Sequence, residues 1–187
     1  MFNLFGNNKR KVFLIAGHGG KDPGALGNGY NERDLAIEFR RILDLELRRI
    51  GVFATLDPDE NFLSQSLRWL KGKFGERDVL IDIHWNASTN PSATGSEIIV
   101  PENPSTYENL LATALLKQLT GVGFRDRGVK NETQTARGRL ALMRENAENI
   151  LIEMCFITNS QDMLLYQNSK NIIAKRIAHT IKNHINQ

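Results

Sequence analysis

Apolar and polar positions change period several times along this chain. "KVFLIA" (11–16) and "VLIDIH" (79–84) are near-continuous apolar runs with the length of a buried strand. "VFATL" (52–56), "SEIIV" (96–100), "RLALM" (139–143) and "NILIEM" (149–154) add four more. Between them the period becomes helical. In "DLAIEFRRILDLELRRI" (34–50), Leu35, Ala36, Phe39, Ile42, Leu43, Leu47 and Ile50 share one broad face, Glu46 interrupts it at the rim, and Gly51 ends it. "FLSQSLRWLKGKF" (62–74) and "YENLLATALLKQLT" (107–120) predict two further helices. "SKNIIAKRIAHTIKNHI" (169–185) predicts a last one, with Ile173, Ile177, Ile181 and Ile185 in one i, i+4 row and Ser169 as its N-cap. Strands alternating with helices predict a single α/β domain: a mostly parallel, six-stranded twisted sheet with helices packed on both faces.

In such sheets functional groups gather at the carboxyl ends of the strands. His18 lies just past the first strand, His84 ends the third, and Glu153 lies near the end of the last. The glycine-rich stretch "AGHGGKDPGALGNGYNE" turns the chain back so that Glu32 reaches the same rim. Zinc accepts nitrogen and oxygen ligands, and a second carboxylate can act as base on water. His18, Glu32 and His84 can be the ligands and Glu153 the base. Each ligand also has a plainer reading, because the three lack the local spacing of His-Glu-x-x-His. His18 can be a polar residue in a glycine turn, Glu32 a first-turn carboxylate favoured by the helix dipole, and His84 a hydrogen-bonded strand end. Glu153 resists such a reading, since a glutamate straight after "NILI" is costly to bury without a partner. Strand alternation puts Asp82 on the face of His84, where a carboxylate can orient a metal-bound imidazole. Asn86 can line the groove, and Trp85 can do so or join the core. His179 and His184 read as surface residues of the last helix, and Cys155 as a packed small side chain.

The bulk numbers narrow the functional classes. With 187 residues, 41% hydrophobic and 24% charged, this is an ordinary globular composition. The net charge of +3 is scattered and aromatics are 7%, so no basic-aromatic surface for nucleic acid emerges. One cysteine excludes an intramolecular disulfide and a multi-cysteine zinc site. Apolar runs fall far short of the ~20 residues that span a bilayer, so no membrane insertion is expected. "MFNLFGNNKRK" places its charges after its apolar patch, the reverse of a signal peptide. Residues 1–10 read as a short extension and 11–187 as the functional domain. The glycines fit neither nucleotide motif. No Gly-Lys pair there precedes Ser or Thr, and Gly17-x-Gly19 meets Asp22 where the dinucleotide fingerprint needs glycine.

"AGHGGKDPGALGNGYNERDLA", "VLIDIHWNAS", "RG" at 127–128, "LALMRENAENILIEMCFITNSQD" and the closing helix together resemble the zinc-dependent N-acetylmuramoyl-L-alanine amidases of the amidase-3 type. The resemblance runs from about Lys11 to about Ile185. It implies a single α/β catalytic domain, zinc held by His18, Glu32 and His84, and Glu153 as the catalytic carboxylate. It also implies bacterial peptidoglycan as substrate, cut between N-acetylmuramic acid and L-alanine; the oligomeric state is not set by the sequence, and a monomer is the expectation. With no export signal read, the expectation is a phage endolysin made in the cytoplasm of an infected host and released to the wall. Another zinc hydrolase of wall material and a non-catalytic glycan-binding module are the alternatives. Four positions depart from the family's usual pattern. Its Asp-Pro-Gly-His is here Ile15-Ala16-Gly17-His18, its arginine after the second strand is Asp57, its small residue before the second histidine is Asp82, and its glycine after the catalytic glutamate is Cys155. Segments 101–108 and 121–138 are expected to face substrate.

Overall fold

A computed structural model describes residues 9–186, so the expected extension at 1–10 lies outside it apart from Lys9 and Arg10. Strands β1 (Val12–Ala16), β4 (Ala54–Leu56), β5 (Val79–Asn86), β6 (Ser96–Val100), β7 (Asp126–Asn131) and β8 (Glu148–Phe156) form one sheet in the order β4-β1-β5-β8-β6-β7. Every pair is parallel except β6–β8, which is antiparallel. A short hairpin of β2 (Leu26–Gly27) and β3 (Tyr30–Asn31) stands apart. The helices are α1 (Glu32–Arg49), α2 (Leu63–Leu70), α3 (Thr106–Thr120) and α4 (Ser160–Ile185).

The α/β architecture and the six-stranded, mostly parallel sheet are as expected, but the two faces are unequally covered. Helices α1, α3 and α4 pack together on one face, over Val12, Leu14, Ile81, Ile83, Ile98, Val100, Ile150 and Ile152. Alternation sends the intervening residues to the other face. There α2 supplies Leu70 against Phe13, Ile15 and Leu80, and the segment near Leu140–Met143 covers Ile99 and Leu151. This thinner face carries the polar residues of interest.

Some element assignments need correction. "RLALM" is not a strand; its end forms a 3₁₀ turn at Leu142–Arg144, and the sixth strand is "DRGVKN" (126–131) instead. That strand lies at the sheet's edge, is half-buried, and has one aliphatic residue, Val129, so it carries no apolar run to read. Helix α4 begins at Ser160, not Ser169: the side chain of Asn159 accepts from the backbone N–H of Gln161 and Asp162. Met163 and Tyr166 extend its buried stripe backwards from Ile173. Helix α1 likewise starts at Glu32, two residues early, with Asn31 capping the N–H of Asp34. The segment 101–108 follows the end of β6 remote from the polar residues, where Ser105 hydrogen-bonds Glu148 at the start of β8, so it does not face the site. Among the described residues no helix is long and apolar enough to cross a membrane.

Candidate active site

Alternation along β5 puts Asp82, His84 and Asn86 on the thinner face. Register then brings Glu153 of β8 opposite His84, and Glu97 of β6 opposite Glu153. The loop after β1 delivers the remaining groups. Gly17 donates its N–H to Ile83 O at 3.1 Å, and a Cβ on it would fall 2.1 Å from two atoms of the His84 ring. Only glycine lets the imidazole lie against the chain there. Gly24, at φ +64, would similarly crowd Glu32 Oε2 at 2.7 Å. The loop closes when the N–H of Glu32 bonds Ala25 O at 2.9 Å.

Glu32 sits between the two imidazoles. Its Oε1 lies 2.8 Å from His84 Nδ1 and its Oε2 lies 3.2 Å from His18 Nε2. Backbone N–H groups of Trp85 and Ala25 donate to the same oxygens, at 3.0 and 2.9 Å. The outward nitrogens are also held: His18 Nδ1 lies 2.8 Å from Asp22 Oδ2, and His84 Nε2 lies 3.1 Å from Asp82 Oδ2. The rings meet edge to face with centroids 5.1 Å apart.

This constellation suits a cation. One donor atom each from His18, Glu32 and His84 falls within a 4.8 Å span. Three carboxylates surround two imidazoles, and the approach of His18 Nε2 to Glu32 does not make a hydrogen bond, leaving that buried nitrogen without a partner. Imidazoles that bind a metal through one nitrogen and a carboxylate through the other are the usual arrangement. Electrostatics agree. Burial opposes charge on Glu32, yet the two imidazoles of His18 and His84 beside it hold its carboxyl far below the usual range. Burial would lower His84, but Asp82 and Glu32 raise it well above the ordinary imidazole value. His18 is raised as well, burial being outweighed by Glu32 and Asp22.

Glu153 lines a cleft of about 490 Å³ with Glu32, Asp82, His84 and Asn86. Its Oε2 is buried without a hydrogen-bond partner, and burial pushes its carboxyl up to about 7. A carboxyl poised there can take or give a proton near neutrality. Asn86 Nδ2 donates to Glu97 Oε1 at 2.9 Å. Trp85 belongs to the core, edge-on to Phe39 and Tyr166.

A family model described as N-acetylmuramoyl-L-alanine amidase matches residues 12–183. The chain belongs to that amidase family. LytC of Bacillus subtilis (strain 168), itself an N-acetylmuramoyl-L-alanine amidase, is 29% identical over 157 residues, which are 81% of this chain and 30% of LytC. The endolysin of Bacillus phage SPP1 is 28% identical over 162 residues, 82% of this chain and 57% of that protein. The chain thus spans under a third of one relative and just over half of the other. The structure of amidase AmiC2 of Nostoc punctiforme superimposes with a TM-score of 0.78, covering 95% of this chain and 98% of that one; at 23% identity it speaks for the fold.

Three groups in this amidase-family site were not singled out from sequence. Asp22 lies four residues after His18 inside a quoted motif, and that spacing in a turn was the available signal. Glu97 was hidden within a strand pattern. Arg40 carries no mark in the apolar pattern of α1, yet it is 1% exposed and pairs with Asp57 and Asp59. Asp57 also accepts the N–H of Ala16 at 3.1 Å, which ties the end of β1 to the loop after β4.

Proposed function

We propose that this chain is a zinc-dependent amidase that hydrolyses the bond between N-acetylmuramic acid and the L-alanine of the peptidoglycan stem. The observation that carries the reading is the convergence of His18, Glu32 and His84 donors within a 4.8 Å span, with Glu32 and His84 lining the same cleft as Glu153, in a chain of this family. His18, Glu32 and His84 are the residues that would hold zinc, which when bound supplies a Lewis acid for the lactyl carbonyl and acidifies water toward a pKa of about 7. Asp22 and Asp82 hold the two rings by their outward nitrogens. Glu153 takes the proton of the attacking water and returns one to the leaving L-alanine nitrogen, a role suited to a carboxyl that titrates near neutrality. Asn86 steadies the cleft wall through Glu97.

The test is mass spectrometry of products released from purified peptidoglycan. Free peptides beginning in L-alanine, with unpeptidated glycan left behind, are expected. Cleavage within the stem peptide, or loss of acetyl groups alone, would point to another zinc hydrolase. Glu153→Gln should retain zinc and lose turnover, and near-normal turnover would remove Glu153 from its role. We assign this activity to lysis of a host cell, a reading supported by similarity to the SPP1 endolysin. Its test is co-expression in a bacterium with a membrane pore-former: the culture should clear with the wild type and stay turbid with Glu153→Gln.

A further inference from the structure

The cleft runs on past Glu153 along the same sheet face. Ile99 and Leu151 are Cα partners two residues beyond the Glu97–Glu153 pair, and with Leu140 and Met143 they make an apolar cluster beneath this arm. The charges change sign along the way. At the metal-suited end the lining is carboxylate-rich; beyond Glu153, on the β6–β7 side, it includes Arg127 and Lys130 of β7 and Arg137 of the segment that follows. Glu97 Oε2 accepts from Arg127 Nε at 2.8 Å and Lys130 Nζ at 2.6 Å, so one carboxylate answers two cations. Arg137 is exposed at the cleft and makes no hydrogen bond or ion pair among the described residues.

The substrate is polarised in the same way. The glycan side of a muramoyl amide is uncharged near the bond, whereas the stem peptide on the amine side carries free carboxylates. If Glu153 protonates the leaving nitrogen, the peptide must depart from the scissile bond on the Glu153 side, which is where the cationic arm begins. We propose that this arm is the stem-peptide subsite, and that Arg137 selects a peptide with a free carboxylate next to its alanine over one whose carboxylate is amidated. The proposal rests on the amidase reading and adds the substrate's direction and a selectivity to it.

Two muramoyl tripeptides test it, each with its second residue joined to the third through the γ-carboxyl: one has D-glutamate with a free α-carboxylate next to the alanine, the other D-isoglutamine, whose α-carboxyl is an amide. Wild type should favour the acid by about tenfold in kcat/KM, the scale of one charge-assisted hydrogen bond. Arg137→Gln should collapse that ratio toward one, with the loss falling on KM for the acid, and Arg137→Lys should restore most of it. Equal rates on both substrates by the wild type, or equal losses on both in Arg137→Gln, would overturn the subsite and leave the amidase reading standing. Hydrolysis of neither substrate would instead sink the amidase reading, and this proposal with it.

Discussion

Replacing Arg40 by Met tests how the two strand ends beside the site are held. Arg40 is 1% exposed and Asp57 3%; Arg40 Nη1 donates to both a side-chain oxygen and the backbone oxygen of Asp57, the latter at 2.8 Å. Asp57 spends its other bonds on Ala16 N–H and Ser66 Oγ. Burial pushes the Asp57 carboxyl above the usual carboxylate range even though Arg40 is beside it. Desolvation therefore exceeds the attraction, as is common for buried pairs, and the pair itself contributes little net stability. Breaking it is another matter. Arg40→Met strands a buried carboxylate, at a cost of about 3–5 kcal/mol, or a fall in Tm of roughly 6–20 °C for a domain of this size. Arg40→Met with Asp57→Asn removes both charges and keeps an oxygen for Ala16 N–H, so it should recover at least half of the loss. Thermal melts and urea titrations of the wild type, Arg40→Met and the double mutant, compared at constant m-value, measure this. A single mutant within about 1 kcal/mol of wild type, or a double mutant no more stable than Arg40→Met, would refute the reasoning.

Three further outcomes are expected. Asp82→Asn keeps the shape beside His84 but removes the charge, so zinc affinity measured by chelator competition should fall roughly 10–100-fold; unchanged affinity and activity would show that Asp82 does not support the ring. Glu97 is held below the usual carboxylate range because Lys130 and Arg127 outweigh its burial. A depressed carboxyl contributes stability above its unfolded pKa and loses it as pH falls through the folded one, so the Tm gap between wild type and Glu97→Gln should be widest above about pH 5 and shrink in acid. A gap that widens in acid would reverse that sign. Finally, Asn159→Ala should cost about 1 kcal/mol as a lost N-cap, while Ser169→Ala, now mid-helix, should cost nothing; the opposite pattern in thermal melts would return the helix start to Ser169.

What could be read from sequence followed apolar period, and what could not followed tertiary pairing. β1, β5, β6 and β8 are buried on both faces, so their apolar runs marked them with ends within two residues. Edge strand β7 needs an apolar face on one side at most, and "DRGVKN" left no run to see. The first turns of α4 were obscured because Gln167, Asn168 and Ser169 look like a break, although their backbone continues a helix whose buried stripe passes through Met163 and Tyr166. At the site, His18, Glu32, His84 and Glu153 stood out because each follows or closes an apolar run or the glycine-rich stretch. Glu97 and Arg40 did not, since a charged residue within a strand or helix pattern is ordinarily a solvated one. Only the register of β6 on β8, and the packing of α1 over β1 and β4, gives them partners.

The family's missing first-motif aspartate has a physical counterpart in this chain. Position 15 holds isoleucine, packed with Phe13 and Leu70 on the thinner face. Its neighbours across the sheet carry the acid groups: Asp82 is its Cα partner on β5, and Asp57 follows the β4 residue paired with Leu14. Asp82 already raises the carboxyl of Asp57 by like-charge repulsion across this gap. A third carboxylate at position 15 would lie between them, where burial leaves repulsion poorly screened. The arrangement is self-consistent: Asp57 is answered by Arg40, Asp82 by His84, and the residue between them is apolar. Where the family usually has an acid on β1, this chain has two carboxylates beside that strand: Asp57 just after β4, bonded to the backbone of β1, and Asp82 on β5, bonded to the imidazole that lies over Gly17.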